Sequence, residues 1–163
     1  NLEGEVIGVN AQIETAGAAN SNIGIGFALP VSIIQRVVPE LVANGEYAWP
    51  YLGVSGGDFT PLLVEEMNLP VERGAYAASI VENSPSSRAG LQGASDSVTL
   101  DGRTVDVGGD VITAIDGTPV HSFDDLLIYL SLSTSPGQTV TLTILRGGET
   151  LEVPVTLVAR PSN

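Results

Sequence analysis

Apolar residues fall in short groups along this chain, and the spacing inside the groups changes from place to place. Glu5–Asn10 and Ile23–Leu29 are apolar runs containing Gly, separated by the small and polar segment TAGAANSN, and they predict two strands with a loop between them. After Pro30 the period lengthens. Ile33, Ile34, Val37, Val38, Leu41 and Val42 recur as on one face of a helix, with Pro39 expected to kink or shorten it and Asn44-Gly45 to end it. EYAWP reads as a connector, because Pro50 restricts Trp49 to extended geometry.

From Tyr51 onward strands and helices alternate at shorter intervals. Tyr51–Ser55 predicts a strand, Thr60-Pro61 an N-cap and first-turn proline for a helix to about Asn68, and Gly74–Val81 another strand. In SPSSRAGL, Ser84 reads as cap, Pro85 as the first helical residue and Gly90 as the stop. SVTLDGRTVDV at 97–107 predicts a hairpin turning at Asp101-Gly102, and Val111–Ile115 a strand ending at the Asp116-Gly117 turn. Phe123, Leu126, Leu127 and Leu130 then recur at i, i+3, i+4 and i+7, with Ser122 and Asp125 placed as a capping box. QTVTLTIL at 138–145 alternates, Gly147-Gly148 turns the chain, and Leu151–Leu157 alternates again, with Pro154 pointing to a sheet edge. The sum is an α+β domain of short strands and two to three helices, beginning near Trp49 and preceded by two strands and a helix.

Charge and composition remove several functions. Nineteen acidic against six basic residues, all Arg, give a formal charge of −13, which repels nucleic acid and anionic membranes. No apolar run approaches the roughly 20 residues a membrane-spanning helix needs. With no Cys and a single His, at 121, neither a disulfide framework nor a thiolate or His-rich metal centre can be built, and no cofactor is expected. Asp96, Asp101 and Asp106 lack the calcium-loop pattern, so no metal is expected there either. The chain opens without Met or a basic-then-apolar leader, so its first residue is expected to be a boundary set by processing or by cloning.

Two motifs bear on chemistry. Tyr51-Leu52-Gly53-Val54 is an X-apolar-Gly-apolar turn running into a strand; such a turn can aim successive N–H groups at a carboxylate, or it can be an ordinary strand with a glycine bulge. His121, Ser122 and Asp124 supply the residue types of a nucleophilic triad. Crowded onto one cap and first turn they diverge, so an exposed His and a capping Ser are expected instead.

The order Tyr51-Leu52-Gly53-Val54, GAYAASIV, NSPSSRAGL, GGDVITAIDG, an amphipathic helix and PGQTVTLTILRGGE resembles the PDZ domain of bacterial type over residues 49–160. The resemblance implies a peptide lying between the strand after the carboxylate loop and the helix Ser122–Ser133. Tyr51, Leu52, Gly53, Val54 and Ser55 are then the candidate peptide-binding residues on the strand side, and Phe123, Leu127 and Leu130 on the helix side, though each leucine fits a plain core position equally well. Replacing Gly53 by a bulky β-branched residue is expected to remove binding while leaving the domain folded. Residues 92–108 depart from the family pattern and read as an inserted hairpin without recognisable chemistry.

NLEGEVIGVNA followed by NIGIGFALPVSIIQRVVPELVANG is similar to the end of the trypsin-like protease domain in the HtrA/Deg family of serine proteases, where a PDZ domain follows at once. The resemblance implies a division at 1–48 and 49–163, with the loop Ala16–Asn22 bordering the specificity pocket, and places the family's nucleophile, His and Asp upstream of Asn1. No catalytic residue is therefore expected here. The implied function is a peptide-binding module of a serine endopeptidase that captures apolar C-termini or unfolded segments in protein quality control, in the periplasm or cell envelope. A working peptidase is one alternative. The other is an assembly segment giving a homo-oligomer through residues 1–48.

Overall fold

Among the described residues ten glycines take positive φ, most of them at turns that sequence alone marks, and between those turns the chain alternates short strands and helices. The computed structural model describes residues 1–16, 21–100 and 103–161. The strand pair β1 (Gly8–Ala16) and β2 (Ser21–Pro30) is antiparallel, with Val9 opposite Leu29 and Ile13 opposite Gly26. Both strands reach further into TAGAANSN than the apolar pattern predicts, because the ladder continues through Thr15 opposite Asn22 and Ala16 opposite Ser21; residues 17–20 of the expected loop lie outside the described residues.

Pro30 is the N-cap of α1 (Val31–Asn44), and Gly45 closes that helix in the left-handed conformation, its N–H donating to the Leu41 carbonyl. Pro39 sits inside the helix rather than shortening it, at the loss of a single backbone donor. No residue of α1 is buried, and Val6, Ile7, Val9, Ile25, Phe27, Leu29, Val38, Leu41 and Val42 all expose large apolar surface.

Ala48 begins a second compact unit, the first being Asn1–Tyr47. Its elements in chain order are β3 (Pro50–Tyr51), β4 (Val54–Asp58), α2 (Pro61–Met67), β5 (Ala75–Ile80), α3 (Pro85–Arg88), β6 (Asp96–Leu100), β7 (Arg103–Val107), β8 (Val111–Ile115), β9 (Thr118–Pro119), α4 (Phe123–Ser133), β10 (Thr139–Arg146), β11 (Glu149–Thr156) and β12 (Val158–Ala159). The predicted strand Tyr51–Ser55 is interrupted at Leu52-Gly53. The main sheet has the order β11-β10-β8-β5-β4, with β9 added to β8, so β4 and β11 are its edges. Pro154 on β11 faces Thr141, at the edge where a missing donor breaks no ladder.

Two apolar clusters hold this unit. The larger joins Leu52, Ala75, Ile112, Ile115, Val120, Leu126, Leu130, Val140, Leu142, Ile144, Val155 and Leu157 from both sheet and α4. The smaller joins Phe59, Leu63, Leu69, Tyr76, Val111 and Leu145, and the insertion lies against it through Ala94, Val105 and Val107. The hairpin β6–β7 thus covers apolar surface, while its predicted turn Asp101-Gly102 lies outside the described residues. Tyr76 anchors it, donating its hydroxyl to the Asp106 carbonyl (3.0 Å) and accepting from the Gly109 N–H (3.3 Å). Burial, foremost, raises the Tyr76 pKa.

The base of the insertion is stapled by a charge pair. Asp110, wholly buried, receives Arg146 in fork geometry, Nε to Oδ1 and Nη2 to Oδ2 at 2.7 Å each, and accepts the Gln92 N–H at 2.8 Å. Arg146 also donates to the Gly90 carbonyl (2.9 Å), which shows what packs at Gly90 despite the insertion. A buried carboxylate with three such donors avoids the penalty of an unpaired charge.

Candidate functional site

Leu52 and Gly53 connect β3 to β4, and their carbonyls are tied back into the unit. The Leu52 carbonyl accepts from both the N–H (3.0 Å) and the hydroxyl (2.9 Å) of Ser86, and the Gly53 carbonyl accepts from the Val81 N–H (2.9 Å) and the Ser84 hydroxyl (3.4 Å). Ser84 in turn caps α3 by accepting from the Ser87 N–H (3.1 Å). In a trans peptide the carbonyl and the following N–H point in opposite directions, so these bonds turn the N–H groups of Gly53 and Val54 away from α3 and β5. The Leu52 side chain, sunk in the larger core, fixes the loop from a third side.

Gly53 has φ of +84°, and a Cβ built there would overlap the Ser84 side chain. A bulky residue at 53 must therefore displace the Ser84 anchor of α3 as well as the loop. Gly56 is constrained differently. The β4–β5 ladder slips between Ser55 and Gly56, and a Cβ at 56 would run into the Tyr76 carbonyl.

Across from the loop stands α4. Ser122 accepts from the Asp125 N–H (3.1 Å), while the Asp125 carboxylate accepts from the N–H groups of Ser122 (3.2 Å) and His121 (2.9 Å), a complete capping box. The His121 N–H, first, and then the bonds from Ser122 hold the Asp125 carboxyl below its usual range. The oxygen of Ser122 thereby accepts at the helix terminus. Along the helix the apolar residues divide: Leu126 and Leu130 are buried, Phe123 is half-buried, and Leu127 remains 47% exposed.

Between loop and helix lies a cavity of about 200 Å³, lined on one side by Tyr51, Leu52, Gly53 and Val54 and on the other by Phe123, Leu127 and Leu130. Those are seven of the eight residues the sequence picks out. Ser55 does not line it, lying exposed on β4 just beyond. Leu130 is both wall and core, only 5% exposed and packed in the larger cluster, which joins the two readings left open for it.

The lining also includes Trp49, Pro50, Leu126, Ser131 and Arg160, which the motif does not name. Ser131 follows Leu127 by one helical turn and could have been found from the period. Arg160 could not. It arrives because β12 pairs with β3, Val158 opposite Tyr51, and its N–H donates to the Trp49 carbonyl (2.8 Å). Among the described residues no group of acidic, His or Cys side chains is placed to hold a metal, and no helix is long and apolar enough to cross a membrane.

An edge strand, a loop presenting N–H groups and an apolar cavity closed by a helix suit an extended chain that ends in a carboxylate. The PDZ domain family model matches residues 50–157. The chain is 34% identical over 157 residues to the periplasmic pH-dependent serine endoprotease DegQ of Escherichia coli K12, covering 96% of this chain and 30% of that protein. It is 31% identical over 164 residues to the periplasmic serine endoprotease DegP of the same organism, covering 100% of this chain and 31% of DegP. Among solved structures, the HtrA-type protease AlgW with a decapeptide matches with a TM-score of 0.73 and 26% identity, over 98% of this chain and 44% of that one. AlgW with a tripeptide matches with a TM-score of 0.71, also at 26% identity, over 98% and 47%. The chain therefore spans under a third of the length of these two curated relatives.

Proposed function

The chain belongs to the PDZ domain family, and from that premise we propose that its groove captures the apolar C-terminus of an extended or unfolded partner protein. The terminal carboxylate is received by the N–H groups of the Leu52–Val54 loop, the terminal side chain enters the cavity, and the preceding residues add a strand to β4. The observation that carries this reading is the pair of tethered carbonyls: Ser86 and Val81 hold Leu52 and Gly53 so that the following N–H groups face away from the protein's own acceptors. Arg160, on the same lining, adds a positive charge to an otherwise acidic protein.

The similarity to periplasmic serine endoproteases supports a wider role as the substrate-recruiting or regulatory module of an HtrA-type endopeptidase outside the cytoplasm, in protein quality control. Residues 1–48 are then the end of that protease domain and 49–163 the PDZ domain. On this reading these residues recognise peptide rather than hydrolyse it, the Ser122 oxygen accepting from the Asp125 N–H at the helix terminus. The exposed apolar residues of Asn1–Tyr47 favour a second role, assembly through that unit.

Isothermal titration calorimetry with a peptide ending in a free Val or Leu, against the same peptide as its amide, tests the carboxylate site. The acid is expected to bind at about micromolar affinity and the amide at least about ten-fold more weakly, the loss of a charge-assisted hydrogen-bond acceptor being worth about 1.5–3 kcal/mol. Equal affinity would remove the carboxylate from the reading.

A further inference from the structure

One hydrogen bond crosses the groove. Asp58, the last residue of β4, accepts from the N–H of Phe123, the first residue of α4, at 2.8 Å, a contact between positions 65 apart in sequence. The neighbouring donors of that helix end are satisfied locally, Ser122 and His121 by Asp125, and Asp125 by Ser122. Phe123 is capped instead from β4. The bond uses Oδ1 of Asp58; among the described residues Oδ2 has no protein partner, and the residue is exposed. Asp58 therefore bridges one end of the groove while keeping a carboxylate oxygen open to an incoming donor.

The direction of a bound chain follows from the strand. With its carboxylate beside Leu52–Val54, a ligand paired antiparallel to β4 runs back toward Asp58, one residue of ligand per residue of strand. Asp58 lies four positions after Val54 on β4, and the register slip at Ser55/Gly56 leaves its extra residue, Ala78, on β5 rather than on β4. The ligand residue three or four before the last then meets Asp58. Arg160 lines the cavity beside Leu52–Val54, while Asp58 stands outside that cavity, at the far end of β4.

We infer that Asp58 is a specificity-determining residue that selects ligands carrying Arg or Lys three or four residues before their terminal carboxylate. The inference rests on the peptide-groove reading above and adds to it a preference outside the terminal pocket. A guanidinium pairs with the open oxygen without breaking the bond to Phe123, whereas an acidic residue meets a like charge at the same place.

Fluorescence anisotropy with labelled hexapeptides ending in a free Val tests this, using Arg, Ser or Glu at the third and at the fourth residue before the last, each also as its C-terminal amide. The native protein should favour Arg over Ser by about three-fold in low salt, and Glu should fall below Ser by a similar factor, both effects shrinking as salt rises. Asp58→Asn, which keeps an acceptor for Phe123, should bind all three alike. Glu149→Gln, which removes one negative charge at the distant β10–β11 turn, should leave the preference in place. In the native protein the Phe123 amide resonance gives a second readout that needs no variant: it should move further with the Arg peptide than with the Ser peptide. Equal binding of the three peptides by the native protein, or an Arg preference kept by Asp58→Asn, overturns the assignment while the difference between acid and amide leaves the carboxylate site standing. Loss of that difference as well overturns both.

Discussion

The two units of this chain use the same amino-acid vocabulary to opposite effect. In Asn1–Tyr47 a strand pair and a fourteen-residue helix satisfy their backbone hydrogen bonds locally, yet no side chain of α1 is buried and Val6, Ile7, Val9, Ile25, Phe27 and Leu29 are about half or more exposed. In Ala48–Asn163 comparable residues on strands of similar length are sealed, Val111, Ile112, Ile115, Val140, Leu142 and Ile144 with 3% exposure or less. The difference is the number of layers. A five-strand path with helices against it encloses a core, whereas two strands and one helix leave apolar faces open and strand edges unpaired. Regular secondary structure is therefore no measure of independent stability here.

Hydrogen exchange would show this contrast most strongly. In a dilute sample the amides of β8 and β10 should exchange at least roughly a thousand-fold more slowly than those of β1 and β2, since core strands open only with the whole unit and a fold worth about 5 kcal/mol slows exchange by that order. Protection of β1 and β2 should rise with protein concentration if the open faces are covered by another copy. Equal protection in a sample that sedimentation proves monomeric would erase the contrast and the assembly role with it.

Paired truncations sharpen it at the level of single residues. Ile112→Ala removes a fully buried side chain and should cost about 3–4 kcal/mol in urea unfolding of the second unit, while Ile25→Ala, at a site 49% exposed, should change the same transition by less than about 0.5 kcal/mol. A cost at Ile25 comparable to that at Ile112 would mean that the first unit has a core after all.

The smallest effect concerns the cap of α4, the groove wall that has no counterpart in the first unit. Asp125 titrates lower in the folded protein than in the unfolded chain because the His121 and Ser122 donors favour its charged form. Its contribution is thus complete above the usual carboxylate range and is lost as the pH falls through the lowered value. Acidifying below about pH 4 should loosen the first turn of α4 in the native protein, read from the Phe123 and Asp125 amide resonances, and Asp125→Asn should flatten that response. An identical acid response in the variant would assign it to another carboxylate.

Legibility also differed between the units, and for a related reason. Turns and caps depend on neighbours in sequence, and they can be read from it: Asp116-Gly117 takes positive φ at both residues, Ser122 and Asp125 close the capping box, and Ser84 caps α3. The loop Tyr51–Val54 and the helix face at Phe123, Leu127 and Leu130 stand out for the same reason, one as a short motif and the other as a period. β1 and β2 run past their apolar cores because a ladder can extend through small and polar residues when both partners continue. Pro39 does not end α1, since one missing donor does not terminate a helix whose other bonds remain.

What the amino-acid sequence determined by itself is local: the alternation that makes β10 and β11, the glycine that lets residue 53 take φ of +84°, and the acidic balance that sets a net charge of −13. Only the tertiary structure decided the rest. It turned the Leu52 and Gly53 carbonyls onto Ser86 and Val81, carried Arg160 to the cavity through β12, and set the carboxylate of Asp58 on the N–H of Phe123. Each of these joins residues roughly thirty to more than a hundred positions apart. No periodicity or short motif records such a pairing, because the free energy that selects it comes from closing the core around both partners at once.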